Sequence, residues 1–184
     1  MSSKKIEISR EIELPSGVTA TFSNSMLVIK GPEGEVSRKV NSRGYSFKIE
    51  ENNMVIKSVR ATKENKKVTG SLVAHIKNMI RGSQKKHQYT LKICSGHFPM
   101  NVSIAGGKLT IKNFLGEKVP RTLNLKHHTE VKIEGDLIHV SSSSKELAGQ
   151  VSADIEQLTR RPGFDTRVFQ DGIYIIVKDG RSLK

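Results

Sequence analysis

The sequence has no tryptophan, only one cysteine and few aromatic residues, which make up 5% of its 184 residues. Cys94 has no second cysteine to pair with, so the chain cannot form an internal disulfide. No apolar run approaches the roughly 20 residues that a membrane-spanning helix requires, and the first residues lack the apolar stretch of a secretory signal. We therefore expect a cytoplasmic protein with no membrane partner, whose core is built from Val, Ile, Leu and Met.

Positive charge is in clear excess. The chain carries 31 Lys and Arg residues against 18 Asp and Glu residues, a formal net charge of +13. Such an excess is the electrostatic signature of a nucleic-acid-binding protein, although charge alone does not distinguish RNA from DNA or from an anionic membrane. The excess is uneven, because residues 1–86 contain 17 basic and 8 acidic side chains, whereas residues 87–184 contain 14 and 10.

Four short segments recur in the same order in the second half of the chain. The pairs are Leu27–Lys30 with Leu109–Lys112 and Gly34–Glu35 with Gly116–Glu117, each 82 residues apart, Met54–Ile56 with Leu137–His139 at 83, and Thr69–Ile76 with Ala148–Ile155 at 79. The common order and the similar offsets indicate an internal duplication. The alternative is that short apolar strands resemble one another in any α+β protein.

Hydrophobic periodicity predicts strand pairs followed by one helix in each half. The predicted strand pairs are 18–22 with 26–30, 45–50 with 54–59, 102–104 with 108–112, and 130–134 with 137–140. Helical spacing of apolar residues predicts helices near 64–81 and 147–158, with Ser144 as the N-cap of the second helix. We therefore predict an α+β fold of two tandem duplicated domains, each a small, mainly antiparallel sheet packed against one helix.

The domain boundaries follow from this pattern. We expect an N-terminal domain over 1–84 and a C-terminal domain over 85–184, with the linker near 82–87. Pro162–Gly163 is expected to end the second helix. After it, Arg167–Phe169 and Ile173–Val177 have strand-like patterns and are expected to complete the second sheet, and the polar tail 178–184 is expected to be mobile.

Metal binding and catalysis have little support in the motifs. Cys94 and His97 have a C-x-x-H spacing and His127–His128 follow, but a structural zinc site needs four ligands, usually as two close pairs. The chain has no G-x-S-x-G, H-E-x-x-H or phosphate-loop motif, and Glu50–Glu51 lie at a predicted hairpin tip. We therefore expect no metal, no cofactor, no small-molecule substrate and no enzymatic activity.

Gly31–Gly34 matches the G-x-x-G pattern of an RNA-clamping loop. Pro32 lacks the backbone N–H that such a loop presents to phosphate, and Glu33 repels phosphate. A tight turn between strands is therefore the favoured interpretation.

Two groups of basic residues are better candidates for RNA contact. One lies on the first predicted helix, where acidic partners are nearly absent, and comprises Lys63, Lys66, Lys67, Lys77 and Arg81. The other surrounds the C-terminal segment and comprises Arg160, Arg161, Arg167, Lys178, Arg181 and Lys184. Because stacking residues are scarce, we expect recognition of RNA shape and phosphates rather than of single bases.

Several motifs resemble those of the L-six family of large-subunit ribosomal proteins. They are Leu14–Val18, Val28–Glu35, His97–Val102, Ile111–Lys118 and Gly149–Ile155. The similarity runs from about Glu11 to Val177. Ile111–Lys118 and Phe169–Tyr174 are similar to the archaeal and eukaryotic branch, whereas Pro162–Thr166 departs from the bacterial pattern.

The resemblance implies a structural protein of the cytoplasmic ribosome that binds large-subunit ribosomal RNA near the sarcin–ricin loop, where translational GTPases dock, beside neighbouring ribosomal proteins. In the family, the second domain and C-terminal segment make much of the RNA contact. At matching positions this implies contacts by Lys112, Asn113, Arg160, Arg161, Arg167, Lys178 and Arg181. Two other functions stay open, a free-standing RNA chaperone or regulatory RNA-binding module, and an enzyme acting on RNA or an acidic substrate.

Overall fold

The computed structural model describes residues 8–40, 44–50, 53–165 and 167–183. The chain divides into two compact units between Lys86 and His87, two residues after the boundary expected from the sequence. We call these units domain 1 and domain 2 and describe each by itself. No helix within the described ranges is long and apolar enough to cross a membrane.

Within the described ranges, domain 1 contains six strands and one helix. They are β1 (Ile8–Glu13), β2 (Thr19–Ser23), β3 (Met26–Gly31), β4 (Gly34–Lys39), β5 (Tyr45–Ile49), β6 (Asn53–Ser58) and α1 (Lys63–Gln84). The strands form two antiparallel sheets in the orders β1-β6-β5 and β2-β3-β4. Both predicted strand pairs are confirmed to within one residue, although Glu51 and Asn52 at the tip of the second lie outside the described residues.

α1 covers the sheets of domain 1 with its apolar face. It begins after Thr62, whose hydroxyl accepts a hydrogen bond from the Asn65 backbone N–H at 3.1 Å and satisfies a donor that the helix leaves unpaired. Ile76, Met79 and Ile80 are buried against strand residues, among them Ile12, Leu27, Ile29, Met54 and Ile56. Each such aliphatic side chain contributes about 1.5–3 kcal/mol on burial. The predicted basic residues Lys63, Lys66, Lys67, Lys77 and Arg81 are all exposed.

The Gly31–Gly34 segment is a turn between β3 and β4, as predicted. The Glu33 backbone N–H donates to the Ser83 carbonyl oxygen at 2.9 Å, which fixes the turn against the end of α1. A Cβ at Gly31 would lie 2.7 Å from that same oxygen, so only glycine permits this approach. The glycine therefore serves packing within domain 1.

Domain 2 repeats this arrangement and adds to it. Its elements are β7 (His87–Cys94), β8 (Asn101–Ala105), β9 (Lys108–Lys112), the short 3₁₀ turn Phe114–Gly116, β10 (Arg121–Asn124), β11 (Glu130–Glu134), β12 (Leu137–Ser142), α2 (Lys145–Leu158), β13 (Gly172–Lys178) and β14 (Arg181–Ser182). The sheet orders are β10-β9-β8 and β11-β12-β7-β13-β14. The two strand pairs predicted in this half are confirmed to within two residues.

α2 packs on the larger sheet and is capped as predicted. The Ser144 hydroxyl accepts from the Leu147 backbone N–H at 3.4 Å, and Val151 and Ile155 are buried in the core. The helix ends at Leu158, the last residue of the predicted range and before the expected stop at Pro162–Gly163. Its end is tied to β13, because the Thr159 hydroxyl accepts from the Ile173 backbone N–H at 2.9 Å.

The duplication is visible in the topology of the two domains. β1-β6-β5 corresponds to β7-β12-β11, and β2-β3-β4 corresponds to β8-β9-β10. The buried positions are Met54, Ile56 and Ser58 in β6 and Ile138, Val140 and Ser142 in β12. Met54 therefore corresponds to Ile138, and its alignment with Leu137 was wrong, because a slip of one residue exchanges the two faces of a strand.

The C-terminal segment differs from the prediction in two ways. Arg167–Phe169 is not a strand but part of a turn, in which the Phe169 backbone N–H donates to the Asp165 carbonyl oxygen at 2.9 Å. The expectation that the tail is mobile from Lys178 onward is wrong, because Arg181–Ser182 forms a strand that pairs with β13. The prediction for β13 is confirmed, since Gly172–Lys178 pairs with β7. Lys184 lies outside the described residues.

Candidate nucleic-acid interface

The end of α2, the following loop and β13 enclose a cavity in domain 2. Its volume is about 490 Å³. The lining residues are Leu115, Glu156, Gln157, Thr159, Arg160, Arg161, Pro162, Gly163, Phe164, Phe169, Asp171 and Tyr174. Two of the predicted RNA-contact residues, Arg160 and Arg161, therefore lie in its wall. We call it the arginine–aromatic cavity.

Aromatic rings and one guanidinium group form a continuous series beside the cavity. The Arg161 guanidinium carbon lies 4.1 Å from the centre of the Phe164 ring, a favourable cation–π distance. Phe164 meets Phe169 edge to face with ring centres 5.0 Å apart, and Phe169 stacks on His97 at 5.1 Å. The loop after α2 is thus ordered by planar groups in contact with one another.

Asp171 binds His97, the residue at the other end of this series. Its carboxylate accepts hydrogen bonds from the Gly96 backbone N–H at 2.7 Å, the His97 backbone N–H at 3.0 Å and His97 Nδ1 at 2.5 Å. Burial opposes ionisation of Asp171, but the hydrogen bonds from His97 and Gly96 outweigh it and keep the pKa of this carboxyl below its usual value. Asp171 therefore remains charged and joins the β7–β8 loop to the start of β13.

Each acid that lines the cavity accepts at least one hydrogen bond from within domain 2. Besides the three bonds to Asp171, Glu156 Oε1 accepts from the Ile175 backbone N–H at 3.0 Å. In the part of the chain that the structure describes, Arg160 and Arg161 form no ion pair with a carboxylate. The charge of Arg160 is therefore available to a ligand that carries negative charge, whereas the charge of Arg161 is partly offset by Glu117, whose pKa it lowers.

Tyr174 presents its ring at the same place. A Cβ at Gly172, which has a φ of 157°, would lie 3.2 Å from the Tyr174 ring, so the absence of a side chain at Gly172 lets this ring lie close to the backbone. Burial, and then the neighbouring Cys94, Asp171 and Glu156, raise the pKa of the Tyr174 phenol. Its hydroxyl is therefore protonated at neutral pH. Lys92 on β7 lies directly opposite Tyr174 and is exposed.

Arg167 is predicted as a phosphate contact, but its charge is already paired. Its Nη2 lies 2.8 Å from Asp165 Oδ2, and its Nε also bonds to the Asp165 carboxylate. The hydrogen bond lowers the pKa of Asp165 and raises that of Arg167. Because both side chains are exposed, water weakens this attraction and the pair contributes little to stability.

Lys178 and Arg181 face each other across the β13–β14 hairpin. The hairpin turn is fixed by Asp179, which accepts from His87 Nδ1 at 2.9 Å and lies 3.3 Å from Lys145 Nζ. Tyr174 and Lys178 are four residues apart on one strand, which corresponds to about 13 Å. The structure therefore separates these two cations from the pair Arg160–Arg161.

Lys112 and Asn113 lie at the end of β9, in the smaller sheet of domain 2. Asn113 adopts a left-handed conformation with a φ of 61°, and its side-chain amide donates to the Pro99 carbonyl oxygen at 3.1 Å. This bond ties the start of the 3₁₀ turn to the loop before β8. Leu115 in the same turn lines the arginine–aromatic cavity, so Asn113 lies next to a wall of the cavity, and Lys112 is exposed beside it.

Sequence reasoning missed the aromatic part of the site. Phe164, Phe169, Tyr174 and His97 are scattered along the chain without a shared periodicity, and His97 is separated from Asp171 by 74 positions. In the sequence, His97 instead stands out through its C-x-x-H spacing from Cys94, a metal-ligand spacing. Among the described residues, no group of three or more His, Cys, Asp or Glu is placed to hold a metal ion.

Comparison with known proteins gives a consistent match along nearly the whole chain. The family model for ribosomal protein L6 matches residues 14–86 and again residues 98–172. Large ribosomal subunit protein uL6 of Methanothrix thermoacetophila is 40% identical, over 94% of this chain and 98% of its own length. The proteins of the same name from Methanosarcina mazei, at 41% identity over 94% and 98%, and Methanocella arvoryzae, at 40% over 97% and 99%, are also similar.

Proposed function

The chain belongs to the ribosomal protein L6 family, and from this premise we propose that it is a structural, non-enzymatic protein of the large ribosomal subunit. The relatives that it matches over nearly their full length are named as large-subunit proteins. Its partners are then ribosomal RNA and neighbouring ribosomal proteins, and its location is the cytoplasmic ribosome.

The observation that carries the RNA-binding part of this proposal is the arginine–aromatic cavity. It brings Arg160 and Arg161 together with aromatic rings in the wall of one cavity of domain 2. Guanidinium groups bind phosphate with two parallel hydrogen bonds, and aromatic rings stack on bases. The surface therefore has both chemical features by which proteins bind folded RNA.

We place the RNA near the sarcin–ricin loop, close to the docking region of translational GTPases, as the family resemblance implies. The proposed contact residues are Lys112, Asn113, Arg160, Arg161, Arg167, Lys178 and Arg181. The geometry ranks them, because among the described residues Arg160 and Arg161 form no ion pair within hydrogen-bond distance, although Arg161 lies near enough to Glu117 to lower its pKa, whereas Arg167 is paired with Asp165.

The test is the salt dependence of binding to a large-subunit RNA fragment that contains the sarcin–ricin loop. Replacing Arg160 and Arg161 together by Ala should weaken binding and reduce the slope of log K against log salt by about one for each arginine. Adding Arg167→Ala should change the slope little further, because that charge is already compensated. The matched control is Lys108→Ala with Lys132→Ala, which removes two exposed charges elsewhere in domain 2.

An unchanged slope in the double arginine variant would rule out this surface as the phosphate contact. Equal losses in the lysine control would mean that only net charge matters. Gradient fractionation of a tagged chain tests the assignment to the subunit, since absence from large-subunit fractions, together with comparable affinity for unrelated RNAs, would favour an RNA chaperone.

A further inference from the structure

The exposed aromatic rings of the protein are concentrated in domain 2. The chain has six Phe and three Tyr residues, and those exposed by more than a third are Phe98 at 49%, Phe164 at 39% and Tyr174 at 40%. Two of these three line the arginine–aromatic cavity together with Phe169. Because exposed apolar rings that converge on one cavity are unfavourable in water, they indicate a ligand with an apolar, planar surface.

The rings are held in place before any ligand arrives. Phe164 is fixed by Arg161 on one side and Phe169 on another, and Phe169 rests on His97. The series is anchored by the buried carboxylate of Asp171, which is 7% exposed. A ligand that stacks here therefore does not have to order these side chains, and little binding free energy is lost to their immobilisation.

The polar groups of the wall match the remainder of a nucleotide. Arg160 and Arg161 supply cationic donors for a phosphate, and the Tyr174 hydroxyl supplies one neutral donor. Glu156 uses Oε1 for the Ile175 backbone N–H, and within the described ranges its Oε2 has no hydrogen-bond partner. A carboxylate oxygen in this position accepts from the exocyclic amino group of a base, a group that uracil lacks.

From these observations we propose that the arginine–aromatic cavity holds one unpaired RNA nucleotide, turned out of its helix. Its base stacks against Phe164 and Tyr174, its amino group donates to Glu156, and its phosphate lies on Arg160 and Arg161. The volume of about 490 Å³ falls in the range of small-ligand sites and accommodates a single nucleotide. This inference rests on the proposed function and replaces the expectation that single bases are not recognised.

The test separates stacking from phosphate contact. Phe164→Leu and Tyr174→Leu remove the rings but retain apolar bulk, so each should lower affinity for the RNA fragment about tenfold while leaving the salt slope unchanged. Phe98→Leu is the matched control, because Phe98 is more exposed than either ring and lies outside the cavity. Thermal unfolding should change little in all three variants, since each residue is at least 39% exposed, and this measurement separates a loss of RNA contact from a loss of the contacts that Phe164 makes with Arg161 and Phe169.

Chemical probing of the RNA provides the second measurement. The intact protein should protect the base-pairing edge of one unpaired nucleotide, and Tyr174→Leu should restore its reactivity. Unchanged affinity and protection in both ring variants would overturn the inference while leaving phosphate binding intact. Failure of the intact chain to bind the RNA would overturn the proposed function as well.

A free nucleotide carries the same base and phosphate as a nucleotide within RNA. Binding of free adenosine and guanosine monophosphates therefore distinguishes these two ligands. We expect no saturable binding of either nucleotide at concentrations where the RNA is fully bound. Saturable binding of a free nucleotide, lost in Phe164→Leu while RNA affinity is retained, would assign the cavity to a small molecule and would contradict the inference.

Discussion

Domains 1 and 2 share one arrangement of six strands and a helix, and within the described residues the arginine–aromatic cavity lies in domain 2. The difference begins at the corresponding strands β1 and β7. β7 is paired on both edges, by β12 and β13, whereas β1 is paired with β6 alone among the described residues. The added strand β13 supplies Tyr174 and approaches the end of α2. The candidate interface therefore depends on a strand that domain 2 has in addition to the shared fold.

One pair of equivalent positions shows how far the added strand changes its surroundings. Tyr89 lies opposite Val140 in domain 2, and Arg10 lies opposite Ile56 in domain 1. Tyr89 is buried, with 7% of its surface exposed, whereas Arg10 is exposed. A position in the middle of a five-stranded sheet faces α2 and excludes water, while its counterpart at a sheet edge carries charge, as edge strands commonly do.

Net charge does not locate the interface. Residues 1–86 have the larger excess of basic side chains, but their described aromatic residues, Phe22, Tyr45 and Phe47, are all half-buried. Domain 2 has the smaller excess and the arginine–aromatic cavity. Total charge thus indicates the class of partner, and the combination of cations with rings is the basis on which we propose the site.

The largest expected effect comes from truncating the two cores separately. Ile155→Ala should lower the free energy of unfolding of domain 2 by about 2–5 kcal/mol, because Ile155 is fully buried. Ile76→Ala is the matched change in domain 1. Amide hydrogen exchange should show lost protection only in the domain that carries the substitution. Equal loss in both would mean that the two domains unfold as one cooperative unit.

An intermediate effect is expected at the carboxylate that domain 1 lacks. Asp171→Asn removes the charge that accepts three hydrogen bonds from Gly96 and His97, and should cost about 1–3 kcal/mol at neutral pH. Because the folded-state pKa of Asp171 is lowered, its contribution is complete above the unfolded value of about 3.9 and is lost as pH falls through the folded value.

Urea unfolding at pH 7 and at pH 3 tests this expectation. The free energies of unfolding of the unmodified protein and of Asp171→Asn should differ clearly at pH 7 and approach each other at pH 3. Asp165→Asn is the control, because it breaks an exposed ion pair in the same loop and should leave stability unchanged. A loss in the control as large as that in Asp171→Asn would show that the loop as a whole, rather than the buried carboxylate, is responsible.

The smallest effect compares two glycines at equivalent helical positions. Gly70 in α1 has open space where a Cβ would lie, so Gly70→Ala should stabilise domain 1 by about 1 kcal/mol. A Cβ at Gly149 in α2 would lie 3.4 Å from the Tyr89 hydroxyl, so Gly149→Ala should gain less. Thermal unfolding of the two variants measures the difference, and an equal or larger gain at Gly149 would contradict it.

The fold was largely predictable because its signals are local. Period-two burial in β3, β6, β9 and β12 marks the strands, and Ser144 marks the start of α2. Other features depend on distant partners. The short tail strand β14 has no pattern of its own and is defined only by pairing with β13, and the one-residue error between Met54 and Leu137 arose because both are apolar.

The site was predictable only in its charged part. Arg160 and Arg161 stand out by sequence because they are adjacent cations after a helix. The rings that complete the cavity come from the loop after α2 and from β13, and His97 from a loop many residues earlier. Their proximity follows from the pairing of β13 with β7, and no local pattern reports a pairing between segments so far apart in the chain.

The position of β13 also determines the order in which the molecule can be made. Every described strand of domain 1 finds its neighbours within residues 8–58, so its sheets can assemble while later residues are still being synthesised. β7 is synthesised first in domain 2, but one of its edges pairs with β13, Gly172–Lys178. That edge and the cavity can therefore form only after translation has passed Lys178. A nascent chain stalled before Gly172 would present β7 with an unpaired edge, which is a template for aggregation.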